Sequence, residues 1–213
     1  DVDRSRGLGD VYKRQSWSFQ TLTNGLPKFG TMDQYMDGNW HGTKKVKAGF
    51  AGSQMKRFLD WDYLKEVKDI WKGPVVLKGI MHSDDAVKAS RIIDCIYLSN
   101  HGGRQLDLAP SPIQILPEVR KSLKKDFPII IDSGFYSGQD MCKAIMLGAN
   151  FVMTGRPFFI GIAALGEIGA QHIHDIIKDE IQNVMEQVCC KDIKSLPKEK
   201  LSINNNYYLK DLN

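Results

Sequence analysis

From residue 61 onward the hydrophobic positions of this chain switch period in a regular way. Trp61, Leu64, Val67, Ile70 and Trp71 recur at helical spacing, and Gly73-Pro74 stops the run. Val75-Val76-Leu77 is a short apolar run of strand type. Ser83, with Asp84 and Asp85 at the positive end of the helix dipole, is expected to cap a helix reaching about Ser90. Ile96 to Ser99 reads as a strand, and Pro112 to Lys125 as a helix with apolar Ile113, Leu116, Val119 and Leu123. Ile129-Ile130-Ile131 reads as a buried strand, Gln139 to Leu147 as a helix stopped by Gly148, and Phe151 to Thr154 as a fourth strand. One long amphipathic helix is expected within 158–188, after which the tail, 191–213, is polar and expected to fray.

These are four β-α units, their strands starting near residues 75, 96, 129 and 151. Apolar strands alternating with helices imply an α/β fold with a parallel sheet covered by helices. Each polar, glycine-rich motif falls just after a strand ends, which in a (β/α)8 TIM barrel is the face that carries chemistry. Four units make half of such a barrel, placed over 61–190. A doubly wound sheet is the alternative, but the first βα turn lacks the G-x-G-x-x-G phosphate loop of that fold. Half a barrel has two unpaired strand edges, so the other half is a physical requirement.

Residues 16–60 lack a long period. Asn24-Gly25, Asp37-Gly38 and the cluster Lys44, Lys45 and Lys47 read as turns and an exposed loop, so this segment is expected to be a connector. The first fifteen residues differ again. Asp10 to Gln15, DVYKRQ, is the translation of a transposon end used in sequencing-library preparation. Residues 1–15 are therefore expected to be an artefact of sequence assembly, with the gene cut short at its 5′ side, and they are set aside for the fold.

Composition narrows the class. The chain is 42% hydrophobic and 25% charged, as in ordinary globular proteins. No apolar run approaches the roughly 18 residues that span a bilayer, and the polar start is not a secretory signal. A net charge of +4 over 213 residues fits a solvated lysine-rich surface better than a nucleic-acid partner, and none is expected. Cys95, Cys142, Cys189 and Cys190 form no C-x-x-C pair and stand at no metal-ligand spacing to histidines, so they read as buried apolar groups or free thiols and no metal is expected.

The most informative stretch is Ser99 to Asp107, SNHGGRQLD. Its glycines allow a tight turn or the close approach of a flat ligand. Imidazole takes a proton near neutral pH. Guanidinium offers a planar fork that matches a carboxylate. His101 and Arg104, three positions apart at a strand mouth, suit a small acid whose neighbouring carbon must lose a proton; a histidine satisfied within its own loop is the other reading.

SNHGGRQLD, preceded by Leu77-Lys78-Gly79-Ile80 and followed by Asp132-Ser133-Gly134 and Gly155-Arg156-Pro157, resembles the FMN-dependent α-hydroxy-acid dehydrogenases and oxidases, over about Trp17 to Ile193 and on the C-terminal half of that family. The resemblance implies FMN as cofactor and oxidation of an L-2-hydroxy acid, foremost L-lactate, to the 2-oxo acid. It makes His101 the base, Arg104 the clamp on the substrate carboxylate, and Lys78 the cation beside flavin N1 and O2. Asp132, Ser133, Gly134, Phe135, Tyr136, Gly155 and Arg156 match the ribityl and phosphate segments, where bare glycine N–H groups and the Arg156 charge suit a phosphate. Ser99 is a weaker flavin contact. It further implies a quinone, cytochrome or oxygen as electron acceptor, a homotetramer, and a cytoplasmic location with possible peripheral contact at the inner face of the plasma membrane. The loop around Trp40, Lys44, Lys45, Lys47, Phe50, Lys56 and Arg57 has a composition compatible with an anionic membrane surface, and equally with a solvated loop.

Three departures stand out. Tyr136 stands where the family usually has a second phosphate-binding arginine, and Cys189 where it usually has glycine. The family's substrate tyrosines, a second substrate arginine and several flavin contacts lie on the first four strands, which this sequence lacks, so by itself the polypeptide is expected neither to hold FMN stably nor to turn over. Two other readings remain. The isopentenyl diphosphate isomerase type of FMN barrel does not need the His101/Arg104 pair. A catalytically silent flavin-binding barrel would not need Lys78, His101 and Arg104 together.

Overall fold

The computed structural model describes residues 59–196, together with residues 19, 21–25 and 201. The chain divides into two compact units, 1–59 and 60–213. In the first, residues 19 and 21–24 are helical, and Gly25 follows at φ +74°, the turn expected of Asn24-Gly25. The loop residues Trp40 to Arg57 lie outside the described residues.

The second unit begins with α1, Trp61–Ile70, whose N-cap Asp60 accepts the Tyr63 N–H at 2.8 Å. There follow β1 (Val76–Ile80), α2 (Ser83–Ala89), β2 (Cys95–Leu98), α3 (Pro112–Ser122), β3 (Ile129–Ile131), α4 (Gly138–Met146), β4 (Phe151–Val152), α5 (Arg156–Leu165) and α6 (Gly169–Gln187). Short 3-10 turns occupy His101–Gly103, Gly166–Ile168 and Ile193–Ser195. The strands pair in chain order, β1-β2-β3-β4, all parallel. Sequential parallel pairing with a helix after each strand is the repeating unit of a (β/α)8 barrel, and the described residues carry four such units.

Alternation along the strands decides which side chains are buried and which meet the site. Ile96, Leu98, Ile129 and Ile131 are completely buried against Ala86 and Ala89 of α2, Leu116 and Val119 of α3 and Ala144 of α4. The opposite face carries Lys78, Tyr97 and Ile130, and among these positions none is fully covered. The three consecutive isoleucines of β3 predict burial on both faces; Ile130 is only half-buried, because among the described residues the helices α2, α3 and α4 cover the face of Ile129 and Ile131. Among the described residues no helix is long and apolar enough to cross a membrane.

Four local readings change. The single long helix within 158–188 is two helices, α5 and α6, separated by a 3-10 turn at Gly166, which sits at φ +66°. The break lets the two pack at very short range: a Cβ on Gly161 would lie 2.7 Å from the Gly169 carbonyl oxygen, and one on Gly169 would strike the Gly161 carbonyl. The N-cap of α2 is His82 and not Ser83; its Nδ1 accepts the Asp84 N–H at 3.2 Å. Helix α3 stops at Ser122, three residues short, where Leu123 turns to extended backbone. The start of the tail is anchored, since Leu196 is buried in a cluster with Cys142 and Met146.

The α5–α6 crossing yields a stability prediction. Gly169→Ala places a methyl group against backbone that cannot yield as a side chain can, and should destabilise the fold by about 1–3 kcal/mol. A urea midpoint equal to that of the wild type would show that the helices do not meet there.

Candidate active site

The C-terminal ends of β2, β3 and β4 open onto a cleft of about 300 Å³. Its walls include Tyr97, His101, Arg104, Gly134, Tyr136 and Arg156, so residues from three successive strand–helix loops converge on one space. Ser133, Phe135 and Gly155 also border it.

Lys78 projects from the inner face of β1. Its Nζ donates to Ser99 Oγ at 2.6 Å, pairs with Asp132 Oδ2 at 3.1 Å, and stands 4.7 Å from the centre of the Tyr97 ring. A β-bulge follows at Gly79, whose φ of +97° suits glycine and interrupts the pairing with β2 directly after Lys78. Ser99 is buried, and its oxygen also accepts the His101 N–H at 3.1 Å. Burial by itself would push the Asp132 carboxyl up. Hydrogen bonds from Ser99, Ser133 and Lys78, together with the Lys78 charge, outweigh it and hold Asp132 below its ordinary value. The Tyr97 phenol is pushed up to about 12, by burial first and then by the charge of Asp132.

The loop after β2 is built of backbone conformations that side chains resist. His101 sits at φ +57°, Gly102 at +71° and Gly103 at +75°. A left-handed histidine is uncommon, and the neighbouring structure over-determines it. Ser99 Oγ takes the His101 N–H, Ser133 Oγ takes the Gly102 N–H at 3.0 Å, and Asn100 Oδ1 takes the Gly103 N–H at 3.1 Å. With its amide thus fixed, His101 presents an exposed side chain to the cleft, and Arg104, one residue past the turn, does the same.

Ser133, also left-handed at φ +74°, donates to Asp132 Oδ1 at 2.7 Å while accepting from Gly102. Its hydroxyl therefore ties the β3 loop to the β2 loop. Phe135 is buried in the core, and its carbonyl accepts the Thr154 hydroxyl at 2.6 Å. Arg156 heads α5; its Nη2 donates to the Gly102 carbonyl at 3.2 Å, and its Cζ stands 5.5 Å from the Tyr136 ring. A Cβ on Gly102 would lie 2.5 Å from that Nη2, so only glycine lets the guanidinium approach.

An FMN-sized ligand with an anionic end is compatible with these residues. A Cβ on Gly134 or Gly155 would meet nothing within 4 Å, leaving bare backbone beside the helix N-terminus that carries Arg156. Among the described residues no cluster of His, Cys, Asp or Glu stands where it could hold a metal ion. The sequence reading missed Tyr97 and Thr154. Tyr97 was open to it, because Tyr97 and Ser99 lie two apart on one strand and so share a face.

The sequence model of the family described as FMN-dependent dehydrogenase matches residues 4–203. The chain belongs to that family. It is 34% identical over 187 residues to the (S)-mandelate dehydrogenase of Pseudomonas putida, covering 87% of this chain and 46% of that protein. It is 36% identical over 154 residues to the L-lactate dehydrogenase of Vibrio cholerae serotype O1 (strain M66-2), covering 72% of this chain and 41% of that protein. A crystal structure of the monotopic membrane protein (S)-mandelate dehydrogenase superposes with a TM-score of 0.80 at 32% identity, over 89% of this chain and 49% of that one. The chain thus spans about half the length of the FMN-dependent dehydrogenases it matches.

Asp132 gives this site a measurable pH signature. Its folded pKa is depressed, so its contribution to stability is complete above the unfolded carboxylate value of about 3.9 and is lost as pH falls through the lower folded value. The stability difference between wild type and Asp132→Asn, followed by urea unfolding from pH 7 down to 3, should shrink below about pH 4. A difference that stays constant across that range would contradict the proposed network.

Proposed function

We propose that this chain is the C-terminal half of an enzyme that oxidises an L-2-hydroxy acid, foremost L-lactate, to the corresponding 2-oxo acid with FMN. The observation that carries this reading is the placement of His101 and Arg104 on one short loop, both bordering a cleft that Asp132, Gly134, Gly155 and Arg156 also line. Similarity to an L-lactate dehydrogenase supports lactate, and similarity to a mandelate dehydrogenase makes a larger 2-substituent the variant to test against it.

FMN, when bound, supplies the two-electron acceptor. Gly134, Gly155 and Arg156 would hold its phosphate end and Lys78 its ring, with Asp132 and Ser99 keeping the ammonium in place. Arg104 would pair with the substrate carboxylate in a two-pronged contact, fixing the carbon to be oxidised. His101 would take the proton that the substrate releases, its ring aimed by the left-handed backbone that Ser99 secures. Tyr136 leaves Arg156 as the cation of the phosphate end, steadied by the aromatic ring beneath it. A quinone, cytochrome or oxygen would then accept the electrons. Peripheral attachment to the inner face of the plasma membrane and a homotetrameric assembly complete the proposal, the former supported by similarity to a monotopic membrane protein.

Anaerobic mixing with L-lactate, measured in the reading frame extended to the relatives' length, should bleach the flavin absorbance. His101→Gln should slow that bleaching by about 10²–10⁴-fold. Arg104→Met should chiefly raise the lactate concentration needed. Bleaching by none of L-lactate, L-mandelate and glycolate, or full activity in His101→Gln, would refute the assignment. The 213-residue chain by itself should purify colourless.

A further inference from the structure

The Lys78 ammonium stands in a three-sided socket, and one side of it is aromatic. The Lys78 ammonium meets Ser99 Oγ at 2.6 Å, Asp132 Oδ2 at 3.1 Å and the Tyr97 ring at 4.7 Å. Tyr97 is the register partner of Lys78 on the neighbouring parallel strand, so the two side chains rise from the same face side by side. The lysine side chain remains half exposed with two polar partners, Ser99 and Asp132. A flexible four-carbon stem left half exposed has other rotamers open to it, and the ring adds a third contact that favours this one. Burial first, and then the charge of Asp132, push the Tyr97 phenol up to about 12. Ring and carboxylate line the cleft, and the ammonium sits against both.

We propose that Tyr97 is a positioning residue for Lys78, its ring holding the ammonium in the fork of Ser99 and Asp132 at the cleft. The proposal rests on the reading of Lys78 as the cation beside the flavin. It assigns a role to a strand residue that otherwise reads as inner-face packing.

Two double-mutant cycles with Lys78→Met and Tyr97→Leu test it. The first uses urea unfolding of the 213-residue chain without flavin. The unfolding constant of the double variant should depart from the product of the single effects by about two- to five-fold, the size of a partly exposed cation–π contact, and Tyr97→Phe, which keeps the ring, should stay within about two-fold of wild type. Simple multiplication of the single effects would overturn the proposal. The second cycle measures FMN affinity by flavin fluorescence quenching in the chain extended to the relatives' length. Tyr97→Leu should weaken binding about two- to five-fold in the wild-type background and hardly at all in the Lys78→Met background. Equal weakening in both backgrounds identifies mere packing and overturns the proposal. FMN affinity unchanged by Lys78→Met would instead remove the flavin role of Lys78, while the flavin-free cycle still decides whether the ring holds the ammonium.

Discussion

A single carboxylate joins the ends of three strands. Asp132, at the end of β3, takes the Lys78 ammonium from β1 and the Ser133 hydroxyl from its own loop, and hydrogen-bonding with Ser99 at the end of β2 helps keep it ionised. Ser99 and Ser133 then each accept a backbone N–H of the His101–Gly102 turn. An ionised carboxylate withdrawn from water is costly unless its lone pairs are filled, and here neighbours from adjacent strands fill them. The relative positions of the strands, the ammonium and the His101–Gly103 turn therefore depend on one another through this group.

The same network accounts for the left-handed backbone at His101 and Ser133. Neither residue type favours that conformation, and each such position raises the energy of the fold unless its amide or side chain is bound. Ser99 binds the amide of one, and the hydroxyl of the other bridges Asp132 and Gly102. Strain at two side chains on the rim of one cleft, supported by hydrogen bonds from below, is the arrangement expected where side-chain direction matters more than local ease of folding. Gly102 extends the logic, since its missing Cβ is the space that admits Arg156.

Much of the architecture was legible in the order of apolar runs. Ile129 to Ile131 stood out as a strand, Trp61 to Trp71 as a helix (it ends at Ile70, with Trp71 its C-cap), and the repeated strand–helix alternation as parallel units, because burial against helices imposes those periods. The split of 158–188 into α5 and α6 was not legible. Apolar spacing continues across Gly166, and only the backbone contact between Gly161 and Gly169 makes two crossing helices the better packing. The His82 cap was hidden for a similar reason: serine and aspartate are stronger capping types, and the choice turned on which side chain could reach the Asp84 amide.

The sequence by itself determined the inventory: four parallel units, a glycine-rich turn with an imidazole and a guanidinium, a lysine directly after an apolar run, and an arginine at a helix start. Those follow from local chemistry, in which period, turn type and charge are properties of short stretches. Only the tertiary structure decided which of these groups share a space and which support others. Residues 78, 97, 99 and 132 are distant along the chain and adjacent in the sheet, because parallel pairing through helical crossovers sets neighbours by strand order and register. Ser133 as a tie between loops, Tyr97 against the Lys78 ammonium and Arg156 against Gly102 are contacts of that kind, formed where separate segments are packed together, and no short stretch of sequence encodes them.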